Sequence, residues 1–71
     1  MAGNISGNRK WLREERIRAG LSQEALGKLV GMPQHRISKY ESGYGISIIN
    51  AQHIAGALGI PWTRFFEEDK P

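Results

Sequence analysis

Cysteine is absent from this chain, so neither a disulfide framework nor a Cys-ligated zinc or iron–sulfur centre can stabilise it. Long apolar runs are missing too. The longest, Ile48–Ile49 and Phe65–Phe66 among them, fall far short of the roughly 18 residues a membrane span needs. No apolar stretch follows Met1 in the manner of a secretion signal. A soluble, intracellular protein is expected. Catalytic equipment is equally sparse: the only histidines are His35 and His53, with no Gly-rich phosphate loop and no His–Glu pair at metal-ligand spacing. The acidic cluster Glu67-Glu68-Asp69 reads as a solvated tail. No enzyme, metal site, cofactor or small-molecule ligand is expected. Strand-like Val/Ile/Thr alternation and internal repeats are also missing, which leaves an all-α fold.

Seventy-one residues give room for one domain, and a chain of this size buries only about 60% of the surface its unfolded form exposes. Its core must be well packed. Apolar residues make up 39% and charged residues 24%, above the disordered range in the first case and ordinary in the second. The charge is unevenly placed: residues 1–40 hold eight Lys/Arg against three Glu, and residues 41–71 hold two against four acidic residues, so +5 and −2 make the net +3. A basic half points to an anionic partner, nucleic acid or a membrane surface. The membrane is disfavoured, because an interfacial helix needs a broad apolar face. In the first helical segment Leu12 and Ile17 offer little apolar area, and Glu14 and Glu15 interrupt the polar side.

Five helices are legible. Arg9 to Ala19 is rich in helix formers, with Ser6 or Asn8 as its cap and Gly20 as its stop. Ser22 caps a second helix carrying Ala25, Leu26, Leu29 and Val30 at helical spacing, and Gly31 ends it. Pro33 fits the first position of a third, running to Glu41 with Ile37 and Tyr40 as its apolar pair. After the loop Ser42-Gly43-Tyr44-Gly45-Ile46, Ser47 caps a fourth helix with Ile48, Ala51, Ile54, Ala55 and Leu58, stopped by Gly59. Pro61 to about Glu68 forms a last helix with Trp62, Phe65 and Phe66. Helices two and three, joined by Val30-Gly31-Met32-Pro33, make a helix-turn-helix candidate, whose second helix is the one offered to a DNA major groove. Gly27 sits where the two helices pass closest, and Gly31 supplies a positive φ for the turn.

The stretches Leu21-Ser22-Gln23-Glu24-Ala25-Leu26-Gly27, Gly31, Ile37-Ser38-Lys39-Tyr40-Glu41-Ser42-Gly43 and Ile54-Ala55-Gly56-Ala57-Leu58-Gly59-Ile60 resemble the Cro/C1-type (Xre family) helix-turn-helix domain. The likeness covers residues 9–67, between a flexible arm over 1–8 and a tail over 68–71, and extends to the heads of lambdoid phage repressors. It implies a compact five-helix lambda-repressor-like domain. It also implies a dimeric DNA-binding regulator, bacterial or phage-encoded and so cytoplasmic and nucleoid-associated, on an inverted-repeat operator.

Matching positions imply roles. Gln34, His35, Ser38 and Lys39 fall on the base-reading face of the third helix. Gln can bond adenine N6 and N7 together, and Lys suits guanine O6 or N7. Gln23 meets a phosphate and braces the third helix; Arg36 and Ser42 flank it toward the backbone; Arg9, Lys10 and Arg13 reach phosphates from the first helix. Tyr44 stands where many relatives carry Lys or Arg in the loop, and takes over the phosphate contact. Pro33 replaces the usual hydroxyl or glycine at the start of the third helix. Arg16 and Glu41 match a buried ion pair joining the first helix to the end of the third. The aromatics Trp62, Phe65 and Phe66, with Ile60, form a homodimer seam, since neighbours about 100° apart on a helix cannot both face inward. The rival reading is an antitoxin or other protein-interaction module whose partner takes that aromatic patch.

Overall fold

The computed structural model describes residues 8–67. The segments 1–7 and 68–71, on which the expected arm and tail fall, lie outside the described residues. Five helices follow in order: α1 (Lys10–Arg18), α2 (Gln23–Val30), α3 (Gln34–Glu41), α4 (Ile48–Leu58) and α5 (Arg64–Glu67). No strand occurs among the described residues. The fold is the all-α, lambda-repressor-like arrangement, with α2 and α3 packed most closely and α1, α4 and α5 closing the core around them.

Local chemistry sets most of these boundaries. The Ser22 and Ser47 hydroxyls accept from the amides of Ala25 at 3.0 Å and Asn50 at 3.1 Å, each satisfying a donor that a helix start leaves without an intrahelical partner. Gly31 ends α2 in the left-handed region at φ 73°, which a Cβ would strain. Three starts differ from the sequence expectation. Pro33 is the residue before α3: its φ of −70° suits either position, but its ψ of 156° is extended. The start of α1 has no hydroxyl cap; Arg9 occupies the cap position, and its amide donates across the molecule to the Glu41 carbonyl at 2.8 Å. α5 is shorter than read, because Pro61–Thr63 form tighter i→i+3 turns, with Arg64, Phe65 and Phe66 amides donating to Pro61, Trp62 and Thr63 carbonyls.

The core consists of Leu12, Leu26, Ile37, Tyr40, Ala51, Ile54, Ala55 and Phe65, with Trp11, Leu21, Val30, Met32, Ile46, Leu58, Ile60 and Trp62 half-buried around it. Asn50 donates to the Tyr40 hydroxyl at 3.0 Å, so the largest polar group in the core is paired. Gly27 is buried where α2 meets the turn, and a Cβ there would run into the Met32 carbonyl oxygen. Backbone is the obstacle, so relief requires the whole turn to move. Gly27→Ala is therefore expected to destabilise the domain by about 1–3 kcal/mol, despite the better helix propensity of alanine. A thermal melt checks this, and a variant melting at or above the parent would show that the turn can open freely.

Candidate nucleic-acid interface

α3 turns Ile37 and Tyr40 into the core and leaves Gln34, His35, Arg36 and Lys39 exposed, with Ser38 half-buried beside them. Its one acidic residue, Glu41, is on the buried side. The outward face therefore carries amide, imidazole, guanidinium and ammonium groups and no carboxylate. Two depressions border it. One is lined by His35, Arg36, Lys39, Tyr40, Tyr44 and Gly45. In the other, Lys10 and Arg13 of α1, Gln23 of α2 and Ser38 and Ser42 of the α3 end lie together, with the largely buried Arg16 and Glu41 also in its wall. Cations from the first helix thus stand beside the start of α2 and the reading face.

Behind the face runs a hydrogen-bonded chain. Arg16 Nε donates to Glu41 Oε2 at 2.6 Å and Nη2 to Oε1 at 3.3 Å, while Nη1 donates to the Leu21 carbonyl at 2.8 Å. Both side chains of this pair are about nine-tenths buried, at 10% and 7% exposed. Gln23 Nε2 donates to the same carboxylate at 3.1 Å, and Gln23 Oε1 accepts from Gln34 Nε2 at 3.3 Å. Helix 1, the start of α2 and both ends of α3 are tied by this one chain. Its outermost member, Gln34, is exposed, so the orientation of a surface amide is set by a buried ion pair.

Two expected roles need correction. Arg9 is only 6% exposed, with its guanidinium against the Tyr40 and Tyr44 carbonyls and the Phe65 ring; it is a structural cation, enclosed away from any phosphate. Phe65, 1% exposed, is a core residue and takes no part in a surface seam. Its ring meets that of Trp11 edge-on at 5.0 Å. Ser42 is exposed at the end of α3, its hydroxyl donating to the Ser38 carbonyl at 3.1 Å, a bond that rotation of the hydroxyl can exchange for another acceptor. Ile60 and Trp62 are half-buried, and Phe66 is 42% exposed with its ring 6.0 Å from that of Trp62. Tyr44 is exposed, with the Lys39 ammonium 5.5 Å from its ring centre.

Two features escape the sequence reading. Trp11 anchors α5 to α1: besides Phe65, the Arg64 guanidinium lies over it at 4.6 Å and donates to Glu15 at 3.0 Å. A tryptophan on a charged helix with few other apolar residues was the available signal. The second is the Arg9 cluster, whose partners lie 31 and 35 residues away and leave no local pattern.

The family model for helix-turn-helix proteins matches residues 12–65. Among curated proteins, the chain is 34% identical over 61 residues to the uncharacterized HTH-type transcriptional regulator YqaF of Bacillus subtilis, covering 84% of this chain and 80% of that one. It is 36% identical over 58 residues to an HTH-type transcriptional regulator of Sinorhizobium medicae, covering 80% of this chain but only 42% of that longer protein. Among solved structures, the restriction-modification controller protein C.AhdI of Aeromonas hydrophila superposes with a TM-score of 0.69 at 33% identity, over 80% of this chain and 84% of that one. The hypothetical transcription factor NHTF from Neisseria gives a TM-score of 0.69 at 26% identity, over 89% and 78%. With the α2–turn–α3 geometry and a model match spanning most of its length, the chain belongs to the Cro/C1-type helix-turn-helix family of DNA-binding transcriptional regulators.

Proposed function

We propose that the protein is a sequence-specific double-stranded DNA-binding repressor that occupies a promoter as a symmetric dimer, with α3 in the major groove. The observation that carries this reading is the carboxylate-free outer face of α3, flanked by Lys10 and Arg13. Gln34, His35, Ser38 and Lys39 meet base edges. Lys10, Arg13, Gln23, Arg36 and Tyr44 meet phosphates. Dimer half-sites fall about one turn apart, roughly 34–36 Å. Ile60, Trp62 and Phe66 supply the subunit seam, as partly exposed apolar groups grouped near the last helix in the less basic half. The likeness to a restriction-modification controller protein supports a regulatory role, exercised in the cytoplasm at the nucleoid. A protein-interaction module using the same aromatic patch is the rival, and salt-sensitive duplex binding separates the two.

Selection from a random duplex pool, then salt titration of the winner against scrambled duplex, tests the proposal. The expected winner is an inverted repeat bound at least about 10³-fold more tightly than the scramble. On that duplex, Lys10→Ala and Arg13→Ala are each expected to flatten the plot of log K against log salt by about one unit. Gln34→Ala is instead expected to relax the preference at one base pair, by about 1–3 kcal/mol, with the salt slope unchanged. No enrichment from the pool would reject base reading by α3.

A further inference from the structure

The guanidinium of Arg9 joins three elements that the sequence keeps far apart. Nη1 donates to the Tyr40 carbonyl at 2.7 Å and to the Tyr44 carbonyl at 2.6 Å. The Phe65 ring of α5 lies 5.5 Å from its central carbon, and the Arg9 amide donates to the Glu41 carbonyl. These three carbonyls belong to the last turn of α3 and the loop behind it, where acceptors lack intrahelical donors and the helix dipole favours a cation. Tyr44 is therefore fixed through its backbone at two points, since its amide also donates to the Lys39 carbonyl at 3.1 Å. Its ring, more than half exposed, stands 5.5 Å from the Lys39 ammonium. The Tyr44 ring thus has no core to pack in, and its place is set by the backbone that Arg9 holds.

We infer that Arg9 is a positioning residue for DNA recognition: by fixing the Tyr44 backbone it places the Tyr44 ring, which holds the Lys39 ammonium at the edge of the reading face. Lysine is among the side chains with most rotamer freedom to lose, so a ring that confines it beforehand lowers the cost of ordering it on the duplex. Arginine suits position 9 because a planar guanidinium donates to both carbonyls from one nitrogen while its flat face lies over the Phe65 ring, whereas a lysine head is a compact point charge with no face to stack. Specificity at the base met by Lys39 then depends on a buried residue that touches no DNA. This inference rests on α3 being the reading element.

The test measures the ratio of specific to scrambled duplex affinity, and its salt slope, for the parent, Arg9→Lys, Tyr44→Ala and the double variant, with a thermal melt of each. Arg9→Lys is expected to lower the ratio about tenfold, at the same base pair that Lys39→Ala relaxes, without changing the salt slope. Tyr44→Ala should lower it similarly, and the double variant no further than Tyr44→Ala alone, because both act through one contact. A slope flatter by about one unit in Arg9→Lys would put Arg9 on a phosphate and overturn the inference. Additive losses, or a ratio unmoved by Tyr44→Ala, overturn it equally. Should Arg9→Lys not fold, the Tyr44→Ala ratio decides, since that exposed side chain is outside the core. Amide hydrogen exchange without DNA provides a second readout: Arg9→Lys should speed exchange at residues 43–46 while the core amides stay slow, and an unchanged loop overturns the inference. A parent that selects no duplex rejects the DNA-reading proposal instead, a result the exchange experiment keeps separate.

Discussion

Glu41→Ala is expected to remove most of the stability of this domain. The carboxylate accepts from Arg16 at 2.6 and 3.3 Å and from Gln23 at 3.1 Å. Without it, the buried guanidinium keeps only the Leu21 carbonyl. Leaving one charge of a buried pair unmatched costs about 3–5 kcal/mol, against a total of roughly 4–10 kcal/mol for a domain of this length at about 0.05–0.15 kcal/mol per residue. At about 4–8 °C per kcal/mol for small domains, the melting temperature should fall by roughly 12–40 °C. The double variant Arg16→Met/Glu41→Leu should recover much of this, since replacing a whole buried pair by apolar groups is often neutral or better. Circular dichroism melts of the two proteins decide the matter. A single variant melting within a few degrees of the parent would show that the pair contributes little. Loss of DNA binding by a Glu41→Ala protein that has lost most of its stability would reflect unfolding; in one that melts like the parent it would reflect loss of the Gln23–Gln34 brace that the carboxylate holds.

Phe65→Ala should cost about as much, some 3–5 kcal/mol, as large aromatic truncations in a core do. The ring is enclosed, meets Trp11 edge-on and underlies the Arg9 guanidinium, so its loss opens a cavity between α1 and α5. Its neighbour makes the control. Phe66 is 42% exposed and touches chiefly the half-buried Trp62; an aromatic pair of that kind contributes about 0.5–1.5 kcal/mol beyond its buried area. Phe66→Ala should therefore leave the melt of a dilute sample near that of the parent, while reducing any upward shift of melting temperature with protein concentration. Equal losses for the two variants at low concentration would contradict the burial described above.

The sequence made the helices, their serine caps and glycine stops legible because each depends on residues within one turn of each other. The same holds for the inward pair Ile37 and Tyr40, and for the outward set Gln34, His35 and Lys39, which follow from helical periodicity. What escaped depends on distance along the chain. Arg9, Lys10 and Arg13 are alike as cations near one helix start, yet the fold encloses the first and exposes the other two. The difference comes from the end of α3, more than thirty residues away, whose Tyr40 carbonyl takes the Arg9 guanidinium, whereas Lys10 and Arg13 border the depression beside Ser38 and Ser42 and stay exposed. Phe65 and Phe66 present the same problem in miniature: helical geometry requires that they diverge, but only the arrival of Trp11 from α1 determines which one is inside.

The shortness of α3 has a consequence of its own. Eight residues at about 1.5 Å each extend roughly 12 Å, and successive base pairs of a duplex lie about 3.4 Å apart. An element of that size faces about four base pairs. On the proposed reading, one copy spells a four-letter word that random sequence repeats once in every few hundred positions, while a genome offers on the order of 10⁶ or more competing sites. Perfect chemistry at every contact would not lengthen that word. On the same reading, two such words at a fixed interval recur only about once in 10⁴–10⁵ positions, so pairing two copies narrows the search more than any refinement of one copy's contacts.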